Sequence, residues 1–200
     1  LVSTDFSAKK FPLVSQATFG TGYEIGAGPY TGGKVNEPDD IEAPEGAITR
    51  SGWSCTVEGD SEEATGMDGA CENVFDADVQ TAWHTCWSSA CGGVNADNDY
   101  ITLALGAAYD VTGLRYAPRQ VDGTNGTCDS YSVYTSTNGS DFTKRVDTQA
   151  WSWAEAVYND ATWEQVDDVT HVRLECLSDT NDSSWVSASE IWVVGASVDP

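Results

Sequence analysis

Positive charge is scarce in this sequence: nine Lys and Arg stand against 32 Asp and Glu, a net charge of −23 over 200 residues. A field of that sign repels nucleic acid and anionic lipid, so both drop out as partners, and it favours cations and neutral ligands. No apolar run reaches the roughly 18 residues that a membrane-spanning helix needs. Histidine is limited to His84 and His171, and no C-x-x-C pair occurs, which argues against a zinc site. No G-x-S-x-G stretch marks an activated serine. Close carboxylate pairs of the kind a glycosidase uses are expected by chance among 32 acids, so the chain is expected to do no chemistry of its own. Convincing helical periodicity is absent throughout. The first residue is Leu1 with no charged-then-apolar leader after it, and the chain is expected to be a processed mature form or a fragment.

What is present is an even set of six Cys, at positions 55, 71, 86, 91, 128 and 176. Without metal-binding spacing, they read as disulfides formed in an oxidising compartment. The sequons that open at Asn125, Asn138 and Asn181 agree with a secretory route. Secretion to the extracellular space is the expectation, with an organelle lumen as the alternative.

Two regions differ in texture. Residues 1–46 contain Gly20, Gly22, Gly26, Gly28, Gly32 and Gly33 and end in the turn-forming runs around Pro38 and Pro44. That composition reads as a linker, or as an arm that lies along a protein partner. From Ala47 to Pro200 the pattern is one of short strands. Tyr100–Leu105 alternates and is expected to stop at Gly106, and Val111–Tyr116 follows. Tyr131–Ser136 alternates cleanly, with Asn138-Gly139 as a hairpin turn. Thr170–Cys176 and Glu190–Val194 are further strands. Strands at this spacing predict an all-β, antiparallel sandwich.

The most informative loop runs from Asn73 to Thr85 and carries Asp76, Asp78 and Thr81 just ahead of Trp83. Calcium takes about six to eight oxygens, from carboxylates, carbonyls and hydroxyls. The loop is not an EF-hand, because Thr81 rather than Gly holds the sixth position from Asp76 and Trp87 holds the twelfth. On residue chemistry alone, an acidic turn and a cation loop both remain open.

A resemblance bears on that choice. Ile48–Trp53 (ITRSGW), Asp76–Thr85, Tyr116–Gln120 (YAPRQ), Tyr131–Ser136 and Trp185–Ile191 (WVSASEI) occur together in an order that resembles the discoidin, or coagulation factor C-type, superfamily. The likeness runs from about residue 47 to 195 and is nearest to carbohydrate-binding module family 32, which includes the N-terminal domain of galactose oxidase. It implies a jelly-roll sandwich of the galactose-binding-domain type with one structural calcium. Carried over by motif, the ion would take the carbonyls of Asn73, Asp78 and Ser189 and the carboxylates of Asp76 and Glu190. Thr81 would give its carbonyl and hydroxyl. Ala77 stands where the family usually has Gly, and must hold whatever backbone angle that Gly held. The resemblance also implies a Cys55–Cys71 disulfide; proximity pairs Cys86 with Cys91, and Cys128–Cys176 remains.

The same resemblance implies a sugar site separate from the ion. Its matches here are His84, Arg119, Asn125 and Trp185: planar donors and acceptors for sugar hydroxyls, and a ring for the apolar C–H face. Taken singly, His84 also reads as a structural histidine, Arg119 as half of an ion pair, and Trp185 as core. Asn125 heads a sequon, and a glycan there would block the site. The insertion from Cys86 to Cys91 follows His84 directly and carries Trp87, which could serve as a second sugar platform, a protein contact or a lid. The expected function is a non-catalytic module for galactose-type glycans or glycoproteins. The alternative is an assembly subunit that uses the same fold and the N-terminal arm. Phosphatidylserine binding, known among clotting relatives, needs basic surroundings that a net charge of −23 does not provide.

Overall fold

A computed structural model of the chain describes residues 42–57, 68–86, 99–120, 126–151, 158–180 and 185–198. Nine strands are present among them: β1 (Ser54–Val57), β2 (Asp68–Gly69), β3 (Ala82–His84), β4 (Asp99–Ala117), β5 (Cys128–Ser136), β6 (Thr143–Ala150), β7 (Asn159–Asp179), β8 (Ser187–Ala188) and β9 (Glu190–Ser197). The one helical element described is a 3₁₀ turn, Cys71–Phe75. The larger sheet runs β1-β4-β7-β5-β6, with β9 also paired to β4; a smaller sheet runs β2-β3-β8. Every strand pair is antiparallel except the short β2–β3 contact. This is the expected all-β sandwich.

The strands differ from the sequence expectation in one instructive way. Gly106 does not end the first strand: β4 continues to Ala117 and pairs with β7 on both sides of a register shift between Ala104 and Tyr109. At φ +75°, Gly106 lies so close to Gly52 that a Cβ would meet its carbonyl oxygen at 2.7 Å. Only Gly fits there, so the residue bends the strand rather than stopping it. The first half of β4 pairs with β1, and the second half with β9.

Alternation explains the core. Ile101, Leu103 and Leu105 of β4 and Val172 and Leu174 of β7 are buried, as period-2 patterning requires. Tyr131 and Tyr116 sandwich Trp151, with ring centroids 3.8 and 4.7 Å from it and planes nearly parallel. Trp83 is fully buried. β6 was not foreseen, because nearly all of its side chains face water and leave no alternation to read.

Cys55 is bonded to Cys71, and Cys128 to Cys176, as expected. Cys86 is also disulfide-bonded; Cys91, its expected partner, lies outside the described residues. So do residues 1–41, most of the expected N-terminal arm. Residues 42–48 lie against β9 and β4. Ala47 bridges Val194, the Ile48 amide donates to Val193, and Arg115 donates to the Glu42 carbonyl.

Candidate functional site

β8 is only two residues long, yet three other segments close on it. Ser187 pairs with His84 at the end of β3. The Thr85 amide donates to the Val186 carbonyl at 2.8 Å, and the Val186 amide donates to the Thr85 hydroxyl at 2.8 Å. The Ser187 amide donates to the Gly126 carbonyl at 2.7 Å. Gly126 has φ +74°, and a Cβ on it would meet the Ser187 nitrogen at 3.1 Å, so Gly lets the β4–β5 loop approach β8 this closely. Finally, the Ser189 amide donates to the Ala117 carbonyl and the Gln120 amide donates to the Ser189 hydroxyl. Residues 84–86, 117–120, 126–127 and 185–189 therefore share one end of the sandwich.

The candidate sugar contacts fall on these segments. His84 is completely buried, and its Nδ1 lies 2.6 Å from the Thr85 carbonyl. A carbonyl only accepts, so Nδ1 carries a proton, and Nε2 is buried as well. Trp185 sits two residues before Ser187, just ahead of β8. Trp185 and Arg119 are each partly buried rather than fully exposed, so both are held by neighbours. Asn125 and Trp87 lie outside the described residues.

The candidate ion loop is built by its own side chains. The 3₁₀ turn ends at Asp76, and Ala77 follows with φ +68°, the left-handed angle that Gly usually supplies. Asp76 accepts from the Asp78 amide and from the Thr81 hydroxyl, both at 2.8 Å. The Thr81 hydroxyl also lies 2.8 Å from the Asp78 carbonyl. Asn73 fastens the loop to β3 through its side-chain amide, which donates to the Ala82 carbonyl at 2.9 Å. The Ser189 hydroxyl donates to the Val79 carbonyl at 3.2 Å, which joins the loop to the β8–β9 connection.

Glu190 follows Ser189 and is 1% exposed. One of its oxygens accepts from Arg50 at 2.5 Å. Its other oxygen, Oε1, is buried with no hydrogen-bond partner among the described residues. Burial pushes the Glu190 carboxyl up to about 7, with Arg50 pulling it down, Asp76 pushing it up and the Ala77 amide pulling it down slightly. A buried carboxylate oxygen without a donor is costly, and a bound cation would satisfy it. The oxygen-only donor set is the kind that a hard cation such as calcium takes. The orphaned oxygen and the donor chemistry thus fit the expected ion. The close group of His, Cys, Asp and Glu ligand atoms found among the described residues is Cys55, Cys71 and Glu72, and both of its sulfurs are in a disulfide.

Sequence reasoning did not assign a role to Arg50, which also lies 4.6 Å from the Trp192 ring centre. The signal was weak: Arg50 sits inside one of the recognised motifs, but its partners are 140 and more residues away.

Known proteins resemble this chain. A sialidase of Micromonospora viridifaciens is 31% identical over 136 residues, which cover 68% of this chain and 20% of the sialidase. Galactose oxidase of Gibberella zeae is 30% identical over 156 residues, 78% of this chain and 22% of that enzyme. The chain thus spans about a fifth of the length of these curated relatives. Among solved structures, the Clostridium perfringens module CpGH89CBM32-5, in complex with GalNAc-β-1,3-galactose, superposes with a TM-score of 0.65 at 25% identity. That match covers 74% of this chain and 99% of the module. Residues 55–191 match the profile described as the F5/8 type C domain, and this chain belongs to that family.

Proposed function

We propose that this chain is a carbohydrate-binding module without catalytic activity, which holds galactose-type glycans at the loop end of the sandwich. The observation that carries this reading is the convergence on β8 of the segments bearing His84, Arg119 and Trp185. It is supported by the likeness to a whole module solved with a GalNAc-galactose disaccharide. The Arg119 guanidinium would donate in a planar fork to sugar hydroxyls. His84, buried and fixed by the Thr85 carbonyl, would back the site, and Trp185 would stack on the C–H face. Wrong epimers would leave such groups unpaired, which is how a few polar contacts select a sugar.

A calcium ion would be held by the carbonyls of Asn73, Asp78 and Ser189, the carboxylates of Asp76 and Glu190, and the carbonyl and hydroxyl of Thr81. When bound it would neutralise Glu190 and tie the 73–81 loop to the start of β9. Its role is structural, because Thr81 lies only three residues from His84 and a fixed loop presents a fixed ligand. The disulfides suit an extracellular protein, and no helix among the described residues is long and apolar enough to cross a membrane. On this reading the chain corresponds to the fifth of the sialidase and of galactose oxidase that it matches.

A glycan array on the purified chain, with and without chelator, tests the proposal. Selective binding of terminal galactose or GalNAc, weakened by chelator, is the expected result. A folded chain that binds no glycan, but is retained by a protein partner through residues 1–46, would replace this reading with that of an assembly subunit.

A further inference from the structure

We propose that Arg50 is a resident counter-cation of the ion loop: it holds one oxygen of Glu190, leaves the other for the metal, and so weakens calcium binding while keeping the ion-free loop closed. The inference rests on the calcium reading above and concerns a residue outside that donor set.

The geometry is specific. Arg50 Nη1 reaches Glu190 Oε2 at 2.5 Å, with the two side chains 16% and 1% exposed. The guanidinium also lies over Trp192 at 4.6 Å. Its Nε and Nη2 atoms are buried and have no hydrogen-bond partner among the described residues. Glu190 and the Trp192 ring are thus its recorded partners, and both belong to β9. Glu190 Oε1 is left without a donor, on the carboxylate that feels the charge of Asp76. Arg50, Ala77, Asp78, Glu190 and Trp192 line a common cleft of about 360 Å³, which gives the ion a path from solvent.

The consequences follow from counting charge. A shell with the carboxylates of Asp76 and Glu190 presents two negative charges to a divalent ion. Arg50 in contact with Glu190 cancels one of them. Calcium affinity is tuned by the number of charged ligands and by site rigidity, so the ion is bound more weakly than the oxygen count alone implies. In the ion-free protein the same arginine keeps two nearby carboxylates from repelling each other, and a buried carboxylate that loses its counter-charge is strongly destabilising. The loop therefore stays attached to β9 when calcium leaves.

The experiment uses the full chain and the variants Arg50→Gln and Arg50→Lys, titrated with calcium by calorimetry at fixed ionic strength, with melting temperatures in calcium and in chelator. Gln still donates to Glu190 but carries no charge. Arg50→Gln is expected to bind calcium tighter by about tenfold or more and to melt lower in chelator, so that calcium raises its melting temperature more than the parent's. Arg50→Lys keeps the charge and is expected to stay within about threefold of the parent. If Arg50→Gln unfolds in chelator, its affinity is read from the loaded protein by back-titration with a chelator of known strength. Equal or weaker calcium binding by Arg50→Gln overturns the inference and leaves the calcium reading intact, as does an Arg50→Lys variant that tightens like Gln. A parent that binds no calcium at millimolar concentration removes the calcium reading, and the inference with it.

Discussion

The hydroxyl of Tyr116 donates to the Ser187 carbonyl at 2.6 Å and accepts from the Cys128 amide at 3.0 Å. Tyr116 closes β4, Cys128 opens β5 and Ser187 opens β8, so one oxygen ties together three elements that bring the candidate sugar contacts to one place. Tyr116 and Ser187 are fully buried. Tyr116→Phe would keep the ring stack on Trp151 but remove both of these buried hydrogen bonds, at about 1–3 kcal/mol. Denaturant unfolding should show a lower midpoint with an unchanged slope, and glycan affinity should fall because β8 is loosened. A variant as stable as the parent would mean that water replaces the hydroxyl.

Removing calcium should lower the melting temperature. An ion present at 100 times its dissociation constant stabilises by about 2.7 kcal/mol. Asp76→Ala removes a carboxylate from the inferred shell and two hydrogen bonds within the loop. The variant should melt at one temperature with or without chelator, whereas the parent should melt at two. A parent scan that ignores strong chelator would refute the calcium proposal.

Ala77 offers a test of the loop backbone. Its φ of +68° costs a residue with a Cβ about 1–2 kcal/mol, while Gly loses about 0.4–1 kcal/mol through its freer unfolded chain. Ala77→Gly should therefore stabilise the chain by about 0.5–1 kcal/mol. Thermal unfolding in calcium and in chelator would measure the gain, and a destabilised variant would show that the methyl group packs favourably.

Trp185→Ala should weaken binding of a galactose-terminated glycan by about two- to tenfold through lost stacking. Because Trp185 is partly buried, some stability should go with it. Arg119→Lys is the cleaner variant: it keeps the charge and most of the stem but loses the planar fork, so affinity should fall while the melting temperature barely moves. Calorimetric titration of parent and variants decides; unchanged affinity in both would place the site elsewhere.

Burial holds the His171 pKa below its ordinary value. The folded ring is thus neutral where the unfolded one already protonates. Its contribution to stability is present above the unfolded pKa of about 6.5 and is lost as the pH falls. Glu190 slopes the other way in the calcium-free chain: its carboxyl is raised to about 7, so that contribution is full below its ordinary value and is lost as the pH rises towards 7. Comparing the parent with His171→Gln between pH 7.5 and 5 isolates the histidine. The variant should lose less stability on acidification, and parallel curves for the two would contradict the assignment.

The sequence by itself determined what depends on local pattern. Alternation in Tyr131–Ser136 and Thr170–Cys176 announced strands, and Asn138-Gly139 announced the turn that follows the first of them. Spaced motifs announced the family, and the Asp76–Thr81 run announced either an acidic turn or a cation loop. Tertiary structure decided what depends on distant partners. Gly106 reads as a stop in one dimension and is a bend once Gly52 lies against it. β6 has no alternation because both its faces meet water, and only its pairing with β5 makes it a strand. His84 stands beside Ser187, from the far end of the chain, and is fully buried there. Arg50 is one of nine basic residues until the fold sets it on Glu190. Contacts between residues more than 100 positions apart leave no local period, so no reading of neighbours along the chain could have placed that charge beside the ion loop.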